Sequence, residues 1–252
     1  MKMDFNRIIQ SLAEQRPIFH SEDDFKFAIS NVIKALYPTY SLWLERPVCI
    51  NMKKRDGTIK QERKAIDILI RDNNKNLIPI ELKYKTKKTK HVIIWDGEEY
   101  KLTNHGAPDI GRVSFRKDIY RIEQYLGSHI KKANVGYVLI ITNDGEYLND
   151  ISLKNTLNSN YSFCNGKIQA KDSGWNYDAI DKVKYIKEIE SNRWVYRNQR
   201  SKAHWTYNGD LSYILDLQNN YQIKWMQYPN GDIGTKFHYC LIEVKKDTFN
   251  NT

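Results

Sequence analysis

Ala65-Ile-Asp-Ile-Leu-Ile70, the polar Asp72-Asn-Asn-Lys-Asn76 and then Leu77-Ile-Pro-Ile-Glu-Leu-Lys83 decide how this chain is read. If the two apolar segments are strands, alternation sends Ile66, Ile68 and Ile70 to one face, and likewise Ile78, Ile80 and Leu82. Asp67, Glu81 and Lys83 fall on the opposite face. The polar segment between them has the composition of a tight turn, so a hairpin brings two carboxylates and an ammonium to one end of a sheet.

That set of groups suits phosphodiester hydrolysis. A hard divalent ion such as Mg2+ is held by one or two carboxylates with substrate phosphate and water completing its shell. It acidifies a bound water and neutralises charge developing on phosphate. Lys83, two positions beyond Glu81, supplies a compact cation for the attacking water or the scissile phosphate.

Asp67 followed by Glu81-Leu82-Lys83 resembles the PD-(D/E)xK motif of the restriction-endonuclease-like nuclease superfamily, with Ile66 where the motif name has proline. The resemblance implies an α/β core of helix, three-strand meander, helix and strand. It implies that Asp67, Glu81 and the main-chain carbonyl of Leu82 bind Mg2+, with Mn2+ as a substitute, and that Lys83 orients and helps activate the water. A first-helix acid often completes such a site. Ser21-Glu-Asp-Asp-Phe-Lys-Phe-Ala-Ile-Ser-Asn-Val-Ile-Lys-Ala-Leu36 is the matching helix, with Ser21 as its cap and Phe25, Ile29, Val32, Ile33 and Leu36 at helical spacing. Glu22 lies on the inner stripe one turn before Phe25, and is the choice for the fourth site residue ahead of Asp23, Asp24 and Glu45.

Downstream, Ser114 to Leu126 repeats Phe115, Ile119, Ile122 and Leu126 on one helical face and stops at Gly127. Val135-Gly-Tyr-Val-Leu-Ile-Ile-Thr142 reads as a buried strand. Residues 1–150 are therefore expected to form the nuclease-like core and 151–252 a mostly β extension packed on it, with helix near Ile180 to Ile189; a single body over 1–252 is equally compatible. The hairpin from Leu44 to Leu69 is expected to turn at Asp56-Gly57. The resemblance covers about the first three-fifths of the chain and names a superfamily, not a substrate.

Composition points the same way. The 252 residues carry a formal charge of +10, which favours a polyanionic partner. Lys85 and Lys87 follow the site strand; Arg112, Arg116, Lys117 and Arg121 lie on the next helix; and Arg193, Trp194 and Arg197 open a stretch that interleaves cations with rings. All are candidate nucleic-acid contacts, and each also has an ordinary reading as edge decoration, helix surface or hairpin anchor. DNA is favoured over RNA. No apolar run reaches membrane-spanning length and the N-terminus lacks signal-peptide character, so a cytoplasmic protein without a membrane partner is expected. Cys49, Cys164 and Cys240 lack zinc spacing and are expected to be buried thiols. The six histidines show no ligand spacing either. A homodimer is compatible with the family, although no self-complementary stripe is visible. Two other classes remain open: a catalytically inactive nucleic-acid-binding module on the same fold, and an interaction protein whose charge answers an acidic partner.

Overall fold

The computed structural model of the chain describes residues 3–53, 57–128, 132–149, 161–171, 185–188, 193–196 and 215–246. Helices α1 (Phe5–Gln15) and α2 (Glu22–Leu36) precede strands β1 (Ser41–Lys53), β2 (Ile59–Arg71) and β3 (Leu77–Lys85). A short hairpin, β4 (Ile93–Trp95) with β5 (Glu98–Tyr100), leads into α3 (Pro108–Gly127) and β6 (Val135–Thr142). Then come β7 (Ile168–Gln169), β8 (Tyr185–Glu188), β9 (Arg193–Tyr196), β10 (Tyr221–Gln222), β11 (Trp225–Gln227) and β12 (His238–Lys245). The fold is mixed α/β. Residues 185–188 form a strand paired with β9, where the sequence reading had allowed a helix. No helix among the described residues is long and apolar enough to cross a membrane.

Six strands form one sheet in the order β1-β2-β3-β6-β12-β11, and only the β3–β6 pair is parallel. The sheet therefore runs without a break from the segment before residue 150 to the segment after it. The hairpin of β2 and β3 closes on an Asx turn: Asp72 Oδ1 accepts from the amides of Asn74 and Asn76. Gly57 takes a φ of +86° at the β1–β2 tip, while Asp56 lies outside the described residues.

Local chemistry accounts for the two N-terminal helices. Asp4 accepts from the Arg7 amide at the start of α1, and Ser21 accepts from the Asp24 amide at the start of α2. Their apolar stripes, including Ile8, Leu12, Phe25, Ile29 and Ile33, pack on one sheet face against Ile68, Ile70, Ile80, Leu82, Leu139 and Ile141. The opposite face, with Leu69, Val138 and Ile140, is covered by Phe115, Ile119, Ile122 and Leu126 of α3.

Ile66 departs from the alternation expected for β2. It packs on the α3 side, whereas Ile68 packs on the α2 side. The β1–β2 ladder pairs Leu44 with Ile68 and Arg46 with Ile66 but omits Glu45 and Asp67, and Glu45 sits at a φ of +50°. Such an interruption re-aims the neighbouring side chains. The β2–β3 ladder stops at Ile68 and Ile80, so the two strands part where Asp67 and Glu81 begin.

One side of α3 also grips the C-terminal part of the chain. Arg116, fully buried, donates to Leu215 O, Gln169 Oε1 and Ala170 O. Glu123 accepts from the amides of Gln218 and Asn219 and from the Tyr221 hydroxyl. Aromatic residues from the same region, Tyr161, Phe163 and Trp225, complete the core beneath the helix. The cysteines divide: Cys164 and Cys240 are buried, but Cys49 is exposed on β1, an edge strand of the sheet, contrary to expectation.

Gly136 sets how closely α3 approaches the sheet. A Cβ there would lie 2.6 Å from Ile122 Cγ2 and 2.9 Å from Pro79 O. Backbone on one side and a β-branched core residue on the other leave little room to yield. Gly136→Ala is expected to destabilise the fold by about 1–3 kcal/mol, read as a lower midpoint in urea unfolding.

Candidate active site

Where β2 parts from β3, charged side chains from α2, the sheet and α3 cluster. Asp67 is buried; its Oδ2 accepts from the Leu82 amide at 2.8 Å, and its Oδ1 lies 3.3 Å from Lys26 Nζ of α2. Lys26 is also paired with Glu45 and with Asp23. Glu81 has no exposed surface, and its Oε2 accepts from Arg121 Nη1 at 2.8 Å. Lys83 Nζ is 3.2 Å from Glu22 Oε1, 2.9 Å from Leu82 O and 3.4 Å from Asp118 Oδ2. The second oxygen of Glu22 accepts from the Tyr84 amide.

Of the four residues singled out from sequence, Glu22 and Lys83 touch, whereas Asp67 is held by the Leu82 amide and Lys26, and Glu81 is enclosed against Arg121. Parity along β3 sends Glu81 and Lys83 to the α3 side, and Glu22 reaches Lys83 because Ser21 starts α2 beside the end of that strand. The main-chain carbonyl of Leu82, expected as a metal ligand, accepts instead from Lys83. Three partners were not foreseen: Lys26, Asp118 and Arg121. Asp118 is 1% exposed and lies 3.5 Å from Arg121 Nη2. Its sequence signal is a carboxylate set inside the stripe of Phe115, Ile119 and Ile122, where a helix facing only apolar surface has no use for one.

Two buried carboxylate oxygens, Glu81 Oε1 and Asp118 Oδ2, have no hydrogen-bond partner. Buried polar atoms are normally satisfied. The donor set is chemically right for a hard cation, with anionic oxygens from Glu81, Asp118, Asp67 and Glu22. The carboxylates are nevertheless arranged around Arg121 and the two lysines: no group of three ligating side chains at metal-holding spacing occurs among the described residues.

Burial is the largest influence on Glu81 and pushes its carboxyl well above the usual range; Asp118 adds to the rise, while Arg121 and Lys83 pull against it. Burial raises Asp118 as well, opposed by Lys83 and Arg121. For Lys83, burial acts to lower the value, but Asp118, Glu22, Asp67 and Glu81 together outweigh it and hold the ammonium above its ordinary range. Lys83 is therefore a fixed cation at neutral pH, a hydrogen-bond donor and not a proton acceptor.

The basic residues predicted to meet nucleic acid fare differently. Arg116 is fully buried and Arg112 nearly so; Arg112 donates to Glu146 O and lies over the Tyr147 ring. Both are corrected to structural roles, because a guanidinium enclosed by its own chain presents no donors to a phosphate. Arg121, grouped with them, faces the carboxylates instead. Lys87 is exposed but paired with Asp144 and Glu146, and Lys85 is half-buried at the end of β3. Lys117 is half-buried on α3. Arg193 and Trp194 belong to β9, whose backbone alone is described, and Arg197 lies outside the described residues. Set against protein-family models, curated proteins and solved structures, the chain matches none.

The raised carboxyl of Glu81 has a consequence for stability. Its folded form holds a proton more readily than the unfolded chain, so its stabilising contribution is complete below the ordinary value of 4.5 and is lost as pH rises through the folded value. Glu81→Gln keeps an acceptor for Arg121 and removes the titration. The melting temperature of this variant, relative to the wild type, is expected to climb as pH rises above 4.5; a difference that stays flat with rising pH would contradict the assignment.

Proposed function

We propose that the chain is a divalent-metal-dependent nuclease with a restriction-endonuclease-like core, acting on DNA in preference to RNA. The observation that carries this reading is the Glu22–Lys83 pair set beside the buried carboxylates of Glu81 and Asp118, with Asp67 on the neighbouring Leu82 amide and Glu81 Oε1 without a hydrogen-bond partner. The order helix, three antiparallel strands, helix and a strand parallel to β3 supports it, with the β4–β5 hairpin as an insertion. So does the charge of +10.

Asp67, Glu81 and Glu22 are the residues that would hold Mg2+ or Mn2+, which when bound would supply an acidified water and neutralise charge at the phosphate. Lys83 contributes a permanent ammonium, anchored by Glu22 and Asp118, that donates to the phosphate or orients the water. Asp67 additionally ties β2 to β3 through the Leu82 amide, so it holds the separated strands in register.

A second reading is favoured by one observation: Glu81 is fully buried and paired with Arg121. A carboxylate neutralised in this way suits a nucleic-acid-binding module without hydrolysis. Metal dependence separates the two. On the nuclease reading, the protein cleaves supercoiled plasmid or single-stranded DNA in Mg2+, and Asp67→Asn or Lys83→Ala lowers the rate by about 100-fold or more with the circular dichroism spectrum retained. Undiminished cleavage by both variants removes the site assignment. Salt-sensitive DNA binding that ignores Mg2+, with no hydrolysis of any nucleic acid, selects the binding module.

A further inference from the structure

Arg121 has an unusual position. It reaches from α3 to two carboxylates that are almost wholly enclosed, Glu81 at 2.8 Å and Asp118 at 3.5 Å, yet its own side chain keeps 21% of its surface exposed. Each carboxylate receives one guanidinium nitrogen. Arginine normally answers a carboxylate with two parallel donors; divided between two acids, it neutralises charge without filling their coordination. Glu81 Oε1 and Asp118 Oδ2 are the oxygens that accept no hydrogen bond. A second cation, Lys83, stands 3.4 Å from Asp118 Oδ2 but makes its hydrogen bonds to Glu22 and Leu82 O.

We infer that Arg121 is a built-in counter-ion that holds the place of a divalent cation between Glu81 and Asp118, so that metal enters only as the guanidinium leaves, and that Asp118 is a further ligand-bearing residue of the site. The inference rests on the metal-dependent reading given above. Two buried acids side by side can both be ionised only with a positive charge held between them. A side chain that reaches solvent can be exchanged for an ion more readily than Lys83, which is 12% exposed and hydrogen-bonded to Glu22 Oε1 and Leu82 O. Arg121 therefore keeps the apo protein folded and sets the divalent concentration at which the site loads. Removing it trades stability without metal for affinity with metal.

Calorimetric titration of the full chain with Mn2+ and Mg2+, without nucleic acid, tests this. Arg121→Gln is expected to bind Mn2+ about tenfold more tightly than the wild type, since a unit charge no longer competes within a few ångströms. Its melting temperature should fall below wild type in EDTA and recover on adding Mn2+. Should Arg121→Gln not fold without metal, Arg121→Lys carries the test: one point charge replaces a two-acid bridge, and tighter Mn2+ binding than wild type is again expected. Asp118→Asn is expected to weaken binding. Equal or weaker Mn2+ affinity in the Arg121 variants, or an unchanged affinity in Asp118→Asn, overturns the inference. Plasmid cleavage measured in parallel distinguishes the two layers. Wild-type cleavage with no gain in affinity on removing Arg121 overturns the inference and leaves the nuclease reading standing. Tighter Mn2+ binding without cleavage by any form supports the inference and overturns the nuclease. Neither binding nor cleavage overturns both.

Discussion

Burying Glu81 and Asp118 side by side between β3 and α3 is the constraint around which the centre of this molecule is built. Neither carboxylate has appreciable contact with solvent. Two like charges in such a place survive only if cations are built in with them, and removing one partner from a buried pair costs about 3–5 kcal/mol. Lys83 and Arg121 meet that requirement from the strand and the helix respectively, and Lys26 does the same for Asp67 from α2. The same contacts dock both helices onto the sheet at the site, so stability and candidate chemistry share their atoms.

The helix α3 serves two functions on two sides. Asp118 and Arg121 face the charged cluster, while Arg116 and Glu123 bind main-chain groups of the C-terminal part. A helix that links both by short, buried hydrogen bonds is not free to shift against either. Gly136 reinforces this from below, since only a residue without a side chain fits between Pro79 and Ile122. The C-terminal strands β11 and β12 continue the central sheet past β6, so the region that bears on α3 is tied to the site through the sheet as well.

The excess of basic residues is used in more than one way. Arg112 and Arg116 work inside the fold, and Lys87 is answered by two acids on the loop after β6. Composition alone cannot separate these from cations that meet a partner, because a buried guanidinium and an exposed one have the same letter. What distinguishes them is the supply of carbonyl and carboxylate acceptors around each, and that supply comes from parts of the chain tens of residues away.

Period-two alternation in β3, the turn chemistry of Asp72 and the capped stripe of α2 are local properties, and the sequence by itself determined them: the strands, the turn and the helix follow from patterns within a few residues. Tertiary structure alone decided that Ile66 turns to the α3 side, that Asp118 and Arg121 enter the site, and that Arg116 is internal. Each of these depends on a contact between segments distant in the chain, the break in the ladder at Glu45 and Asp67, the register of β3 against β6, or the packing of α3 on the C-terminal carbonyls. Local periodicity reports which way a side chain points from its own strand or helix; it does not report what waits there.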